Sequence, residues 1–166
     1  MAVRPVVVLP DAVLTRRAAP VGTIDGGARE LARDLVDTMR SRTACVGLAA
    51  PQIGVGLRAF VIDVTGHRKA RSCHGQVVLF DPEVVATGEP TMGREGCLSV
   101  PDFTGDVARW STISVRGLSA EGEELVIEAD AFEARALQHE IDHLDGMLFL
   151  DRVASHESVF RRKVYR

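Results

Sequence analysis

Two histidines stand four residues apart in the segment ALQHEIDHLDG, residues 136–146, and a glutamate directly follows the first of them. Residues four apart are neighbours on an α-helix, so the imidazoles of His139 and His143 can reach one metal ion. Glu140 lies beside that face, where its carboxylate can reach a metal-bound water without being a ligand. The pattern specifies only three positions, so an ordinary helix that carries these residues by chance is the alternative interpretation.

Two imidazoles do not complete a metal site, and three cysteines compete to be the third ligand. Cys97 is the best candidate, because the neighbouring Gly96 permits a close backbone approach. A thiolate with two imidazoles leaves a fourth position open for water, as in catalytic sites. Cys73 is interpreted as a loop thiol and Cys45 as a small buried hydrophobic residue. Glu157, a downstream acid, falls in a separate segment and is interpreted as solvated.

A second segment, CVGLAAPQIGVG at residues 45–56, is rich in small residues. Small side chains let the backbone lie close to another element or to a ligand. Gln52 would supply an uncharged hydrogen-bond donor at the end of this run. The alternative interpretation is a tight loop packed against the core.

Hydrophobic periodicity indicates the elements that must position these residues. The spacing predicts a helix over residues 25–42 and buried strands over 56–64 and 76–85, the second broken at Asp81-Pro82. Residues 111–130 are typical of a β-hairpin with its turn around Glu121-Gly122. A strong helix follows, so we expect an α+β fold with small antiparallel or mixed sheets packed around a central metal-binding helix.

The helix that carries the two histidines has signals at both ends. Asp130 and Glu133 predict a capping box at its start, and Gly146 predicts a left-handed cap at its end. Phe132 and Ala136 share the histidine face, and a second face is also apolar. A helix with two apolar faces is expected to be largely buried, so its histidines must find partners.

Composition excludes several classes of protein. The chain has 166 residues, 46% of them hydrophobic, which predicts one catalytic domain over residues 1–166. Its net charge of -3 argues against DNA binding, and no apolar run approaches membrane-spanning length. The first 13 residues predict a strand or extended segment rather than a secretory leader. Three cysteines, an odd number, suit a reducing cytoplasm.

Three segments together resemble one family, the peptide deformylases. CVGLAAPQ, EGCLS and QHEIDH occur in the order of its motifs Gly-x-Gly-Leu-Ala-Ala-x-Gln, Glu-Gly-Cys-Leu-Ser and Gln-His-Glu-x-Asp-His. The opening VVVLPDAVLTRRAAPV also resembles the family's N-terminal segment, so the resemblance covers nearly the whole chain. It implies a hydrolase that removes the formyl group from the N-terminal formyl-methionine of nascent polypeptides.

The resemblance implies a divalent metal ion held by Cys97, His139 and His143. Fe(II) is the implied native ion, and Zn, Ni or Co could occupy the site in a purified protein. Glu140 is the implied catalytic acid and base. Asp142 is expected to be a structural acid, and the family suggests Arg109 as its buried partner.

The remaining site residues implied by the resemblance handle the substrate. Gln52 and the backbone N–H of Leu98 would hold the formyl oxygen as it gains negative charge. Val46 and Gly47 would line the substrate groove, with Gly47 offering backbone hydrogen bonds. A methionine pocket beside the helix is expected, with Phe132 and Ala136 in its wall.

Two positions depart from the family pattern. Cys45 replaces the first motif glycine, and Thr104 stands where many bacterial members carry an arginine near the substrate backbone. Long insertions of one bacterial subgroup are absent, which implies the compact type. The basic tail VFRRKVYR could make transient contact with ribosomal RNA, although a solvated helix end is the favoured interpretation.

Two rival functions stay open on the sequence. A metallopeptidase would use the same water and glutamate, but a cysteine ligand argues against it. A non-catalytic metal-binding homologue, for example a ribosome-associated protein, would need neither Glu140 nor Gln52.

Overall fold

The computed structural model describes residues 2–163. The helices in this range are α1 (Gly26–Arg40) and α2 (Ala131–Leu144). The strands are β1 (Gly47–Ala49), β2 (Ala59–Ile62), β3 (Val77–Thr87), β4 (Pro90–Cys97), β5 (Val100–Trp110), β6 (Thr112–Leu118), β7 (Glu124–Asp130) and β8 (Val159–Arg161). Neither helix is long and apolar enough to span a membrane.

The strands form two antiparallel sheets, and α2 contacts both of them. One sheet has the order β1-β2-β3-β6-β7 and the other β4-β5-β8. The expected α+β class, with sheets around a central helix, is confirmed. Strands β1 and β4 lie at sheet edges, so each leaves one row of backbone groups without a strand partner in the described part of the chain.

Helix α1 forms where its periodicity predicts. The Asp25 carboxylate accepts a hydrogen bond from the N–H of Ala28 at 2.9 Å and so caps the helix. Leu31, Leu35 and Met39 are buried in a cluster that includes residues of β1 and β2. The cluster holds α1 behind the small-residue segment of residues 47–50.

The strand predicted over residues 76–85 is not broken at Asp81-Pro82, and this expectation was wrong. Strand β3 runs through both residues, with a register shift between Phe80 and Glu83. Asp81 has a positive φ of 48°, and its carboxylate accepts from the N–H groups of Val21 and Gly22, each at 2.8 Å. A β-bulge with long-range hydrogen bonds therefore replaces the break.

The predicted hairpin is confirmed. Strands β6 and β7 pair from Thr112 opposite Asp130 to Leu118 opposite Glu124, and Gly122 donates to the Ser119 carbonyl in the turn.

The expectation for the start of the chain holds, whereas the expectation for its end does not. Residues 2–8 lie outside the strands, and Val7 donates to the Gln52 carbonyl at 2.8 Å, as expected for an extended segment. The tail was expected to be a solvated helix end, which is wrong for its described part. Val159–Arg161 forms β8 on the edge of β5, and residues 164–166 lie outside the described range.

Helix α2 starts differently from the prediction and ends as predicted. No capping box forms, because Ala131 has a positive φ of 47° and the Asp130 side chain makes no cap. Asp130 accepts instead from the N–H of Ser72 at 2.9 Å. At the other end Gly146 has a φ of 75°, and Met147 donates to the Asp142 carbonyl at 2.9 Å.

The expected pair of Arg109 and Asp142 is confirmed. Arg109 Nη1 donates to Asp142 Oδ2 at 2.5 Å, and both side chains are buried. Arg152 adds a second cation, with Nη2 3.0 Å from Asp142 Oδ1. Asp142 therefore ties α2 to β5 on the side of the helix away from the histidines.

Replacing Asp142 with asparagine should lower the free energy of unfolding by about 3–5 kcal/mol, because buried Arg109 loses a compensating charge. Urea denaturation of the metal-free protein measures the change. Asp106→Asn is the matched control, since the Arg94–Asp106 pair is partly exposed and should contribute under about 1 kcal/mol. Equal losses in both variants would contradict the structural role of Asp142.

Candidate metal centre

The structure brings Cys97, His139 and His143 together. Their ligand atoms all lie within 4.8 Å of one another, and Cys97 Sγ is 3.3 Å from His143 Nε2. Cys97 and His143 are buried, with 5% and 1% of their surfaces exposed. The histidines come from adjacent turns of α2 and the cysteine from the end of β4.

This donor set fits a tetrahedral divalent ion. Ligand lengths of about 2.3 Å to sulfur and 2.0–2.1 Å to nitrogen put the two ligand atoms about 3.5 Å apart, close to the observed 3.3 Å. Three protein ligands leave one position for water or substrate, as in catalytic sites. One thiolate and two imidazoles suit several divalent ions, so the geometry alone does not select the metal.

A tight turn between β4 and β5 presents Cys97 to the helix. Cys97 pairs with Val100, whereas the preceding Gly96 pairs with Thr104, so β5 carries a bulge at this point. Leu98 lies in the turn, and its N–H has no hydrogen-bond acceptor among residues 2–163. A free backbone donor therefore stands one residue from the candidate thiolate ligand.

Glu95 orients His139, a role that sequence reasoning missed. Its Oε1 lies 2.8 Å from His139 Nδ1, which leaves His139 Nε2 for the metal. Arg109 donates to both carboxylate oxygens at 2.8 and 2.9 Å, and Arg135 Nη1 donates to Oε2 at 2.8 Å. Burial alone would raise the pKa of Glu95, but the hydrogen bonds from Arg109 and His139 hold it well below its ordinary value. The only sequence signal was the position of Glu95 in the EGCLS motif.

The pKa values of the two histidines are shifted in opposite directions. Burial opposes the charged form of His139, but its hydrogen bonds with Cys97 and Glu95 outweigh burial and hold its pKa well above the ordinary value. Burial and the nearby charge of His139 hold the pKa of His143 well below the ordinary value. Protonation of His139 and binding of a metal ion therefore compete, since only a neutral imidazole can be a ligand.

Glu140 lies beside the three candidate ligands and packs against Gly47. A Cβ atom at position 47 would lie 2.5 Å from Glu140 Oε1, so glycine is the residue that fits there. Glu140 Oε2 is buried and has no hydrogen-bond partner among residues 2–163. Burial raises the pKa of Glu140 to about 7, against the opposing positive charge of His139. A bound cation would favour its ionised form.

Gln52 is fixed by hydrogen bonds at both ends of its amide. Its Oε1 accepts from the N–H of Ala49 at 3.0 Å, so Nε2 points the other way, toward Cys97 Sγ at 3.4 Å and Ser99 Oγ at 3.2 Å. With 2% of its surface exposed, Gln52 presents an oriented donor to the site.

A cavity of about 290 Å³ opens onto these groups. The predicted substrate-handling residues all line it, and they are Val46, Gly47, Gln52, Leu98, Phe132 and Ala136. Cys45 was expected to be a small buried hydrophobic residue; it is half-buried, packs against the cluster that holds α1 and also lines the cavity, with Sγ donating to the Gly47 carbonyl at 3.2 Å. Burial raises the pKa of Cys45 to about 11, which keeps the thiol protonated. Cys73 is exposed, as a loop thiol should be.

A loop before β3 supports one wall of the cavity. His67 stacks on Phe132 with ring centroids 3.7 Å apart and an angle of 5° between the rings. Buried Glu133 accepts from Ser72 Oγ at 2.8 Å and from the N–H of His74 at 2.7 Å. The loop sequence carried no periodic signal that could have shown these contacts.

Known proteins share the sequence and the fold of this chain. The family model for polypeptide deformylase matches residues 3–159. A peptide deformylase from Desulfosudis oleivorans is 44% identical and aligns over 100% of this chain and 95% of its own. A crystal structure from Ehrlichia chaffeensis in complex with actinonin has a TM-score of 0.88, with 34% identity, 95% of this chain covered and 92% of that one. A Met-Ala-Ser-bound class I type b peptide deformylase from Acinetobacter baumannii has a TM-score of 0.84, with 34% identity and 92% and 100% coverage.

The raised pKa of Glu140 predicts a pH-dependent loss of stability in the metal-free protein. Between its ordinary value of 4.5 and about 7, the folded state holds a proton that the unfolded state has lost. The stabilisation is full below pH 4.5 and is lost as pH rises through 7. Relative to Glu140→Gln, the wild type should therefore lose on the order of 3 kcal/mol between pH 4.5 and 8. Urea denaturation at both pH values tests this, and parallel behaviour of the two proteins would contradict it.

Proposed function

The chain belongs to the polypeptide deformylase family, and on that premise we propose how its own residues carry out the reaction. It is a metal-dependent hydrolase that removes the N-terminal formyl group from formyl-methionine of nascent polypeptides. One observation supports the assignment of residues above all others: Cys97, His139 and His143 converge beside a buried glutamate.

Cys97, His139 and His143 would hold the ion, through sulfur and the two Nε2 atoms. The ion supplies a Lewis acid and a water that is a usable nucleophile near neutral pH. We assign Fe(II) as the native ion on family grounds, with Zn, Ni or Co able to take its place. Metal analysis of protein purified without oxygen tests this assignment.

Glu140 is the proposed proton carrier. Its carboxylate takes the proton of the attacking water and returns it to the amine that leaves. The support is its position beside the three ligands and its burial. A bound cation would lower the pKa of Glu140 from its metal-free value of about 7 and so favour the carboxylate that accepts the water proton.

Gln52 Nε2 and the N–H of Leu98 are the proposed donors to the formyl oxygen. Gln52 is locked by Ala49, so its amide costs little reorganisation when negative charge develops. Loss of one such donor typically costs about 3 kcal/mol of transition-state stabilisation.

The peptide would enter between two sheet edges. Strands β1 and β4 both contribute residues to the cavity wall and have no strand partner on one side within residues 2–163. An extended peptide can pair with such an edge through its backbone, with Gly47 as the nearest donor and acceptor. The methionine side chain would then lie against Phe132 and Ala136. The Met-Ala-Ser bound by the Acinetobacter baumannii protein is a ligand of the same kind.

We assign the protein to the cytoplasm as one catalytic domain over residues 1–166. The three cysteines are free, which suits a reducing compartment, and the family match spans residues 3–159. Residues 161–163 are basic and exposed, which is compatible with a transient ribosome contact.

Glu140→Gln should keep its metal and lose deformylation of formyl-Met-Ala-Ser by several orders of magnitude, because it removes the proton carrier and leaves the ligands. Release of formate and metal content are measured on the same samples. Cys73→Ser, an exposed thiol away from the cluster, is the control and should behave as the wild type. Near-normal turnover by metal-replete Glu140→Gln would contradict the proposed role. Cleavage of unformylated Met-Ala-Ser by the wild type would favour a peptidase instead.

A further inference from the structure

An arginine from the end of the chain lies across β4 at the mouth of the metal cavity. A Cβ atom built on Gly96 would lie 2.6 Å from Arg162 Nη2 and 3.4 Å from Thr104 Cγ2. The guanidinium therefore rests directly on the glycine that precedes Cys97, and it lines the cavity. The backbone N–H of Arg162 donates to the Asp102 carbonyl at 2.8 Å, which anchors this residue just beyond β8.

Two other arginines line the same cavity, and both are already engaged. Arg94 Nε donates to Asp106 Oδ1 at 2.7 Å, and its guanidinium lies 3.9 Å over the Phe160 ring. Arg135 is buried and donates to Glu95 and to the carbonyls of Val107 and Thr91. Arg162, in contrast, is exposed and forms no side-chain hydrogen bond or ion pair within residues 2–163.

We propose that Arg162 is a substrate-binding residue that selects peptides with an acidic side chain at the first or second position after the methionine. A guanidinium presents a fork of donors that matches a carboxylate in a bidentate pair. This inference rests on the proposed function, because it needs a peptide that extends from the metal site through the cavity mouth.

The reach of an extended peptide supports this placement. Consecutive strand residues advance about 3.3 Å, so two residues beyond methionine span roughly 7 Å. Gly96 is the neighbour of ligand Cys97, and the guanidinium over it borders the same cavity as Cys97 and His139. We therefore expect the side chains of the first two residues after methionine to pass nearest to it.

The charges around the cavity mouth also favour an acidic side chain in the peptide. Glu95 is neutralised by two arginines, and Glu140 is buried at the floor of the cavity. Asp106 neutralises Arg94, which leaves Arg162 as the unpaired charge on the rim of the described structure. A lysine in the peptide would meet this cation, and a glutamate would pair with it.

Steady-state kinetics on matched peptide amides tests the proposal. The first set, formyl-Met-Ala-Glu, formyl-Met-Ala-Gln and formyl-Met-Ala-Lys, varies the second position after the methionine, and a second set places the same three residues at the first position. For at least one position, the wild type should show kcat/KM at least about fivefold higher for Glu than for Lys. The difference should lie in KM, with kcat similar, and should shrink at high salt. Arg162→Ala should bring the three peptides within about twofold of one another.

Arg161→Ala is the matched control, because Arg161 is an exposed neighbour that does not line the cavity. It should keep the preference for Glu, whereas a loss equal to that of Arg162→Ala would mean a general field effect and would overturn the proposal. Arg162→Lys should keep part of the preference, since the charge remains but the fork is lost.

A binding readout separates this inference from the proposed function. Affinities of the three peptides for metal-loaded Glu140→Gln are measured by calorimetry, with and without Arg162→Ala. If binding shows the charge preference but the wild type does not deformylate the peptides, the proposed function is contradicted and the role of Arg162 stands. Normal turnover with no preference for Glu at either position in the wild type would overturn the role of Arg162 alone.

Discussion

The buried carboxylate of Glu95 joins the two parts of the molecule that carry the candidate ligands. It accepts from Arg109 on β5, from Arg135 on α2 and from the imidazole of His139. Cys97 lies two residues farther along β4, so the same contacts set the distance between its sulfur and the histidines. A rotated or displaced helix would break an ion network that is almost fully buried, and such networks are costly to leave half paired. The relative positions of Cys97 and the two histidines depend on this junction.

The site holds polar groups that the fold leaves unsatisfied. Glu140 Oε2 and His143 Nδ1 are buried without partners within residues 2–163, and burying such groups costs free energy. Both belong to residues of the candidate metal centre, whereas other buried charges, such as Glu133 and Asp142, are paired. Glu140 Oε2 thus lies where a cation and a substrate would satisfy it, whereas His143 Nδ1 is on the side of the ring away from the proposed ligand atom Nε2. The fold loses stability at this point because it buries Glu140, the ionisable group proposed to transfer the proton.

Local signals in the sequence predicted α1, the β6–β7 hairpin and the C-terminal end of α2, because a cap or a turn is made by residues close in the chain. The failures involve distant partners. Asp81 bonds to residues 21 and 22, which converts an expected break into a bulge. The helix start is held by the loop at Ser72. Motif and spacing predicted the residues that converge on the site. The contacts of Glu95 and Arg162 could not be predicted, because they depend on how distant strands pair.

We propose that one sulfur and two imidazole nitrogens hold the ion, and X-ray absorption on the zinc-loaded protein measures this ligand set. We expect a shell of one sulfur at about 2.3 Å and two nitrogens at 2.0–2.1 Å. The sulfur contribution should disappear in Cys97→Ser and persist in Cys45→Ser, whose thiol lines the same cavity. A shell without sulfur in the wild type, or a sulfur signal that survives Cys97→Ser and is lost in Cys45→Ser, would show that Cys97 is not the ligand.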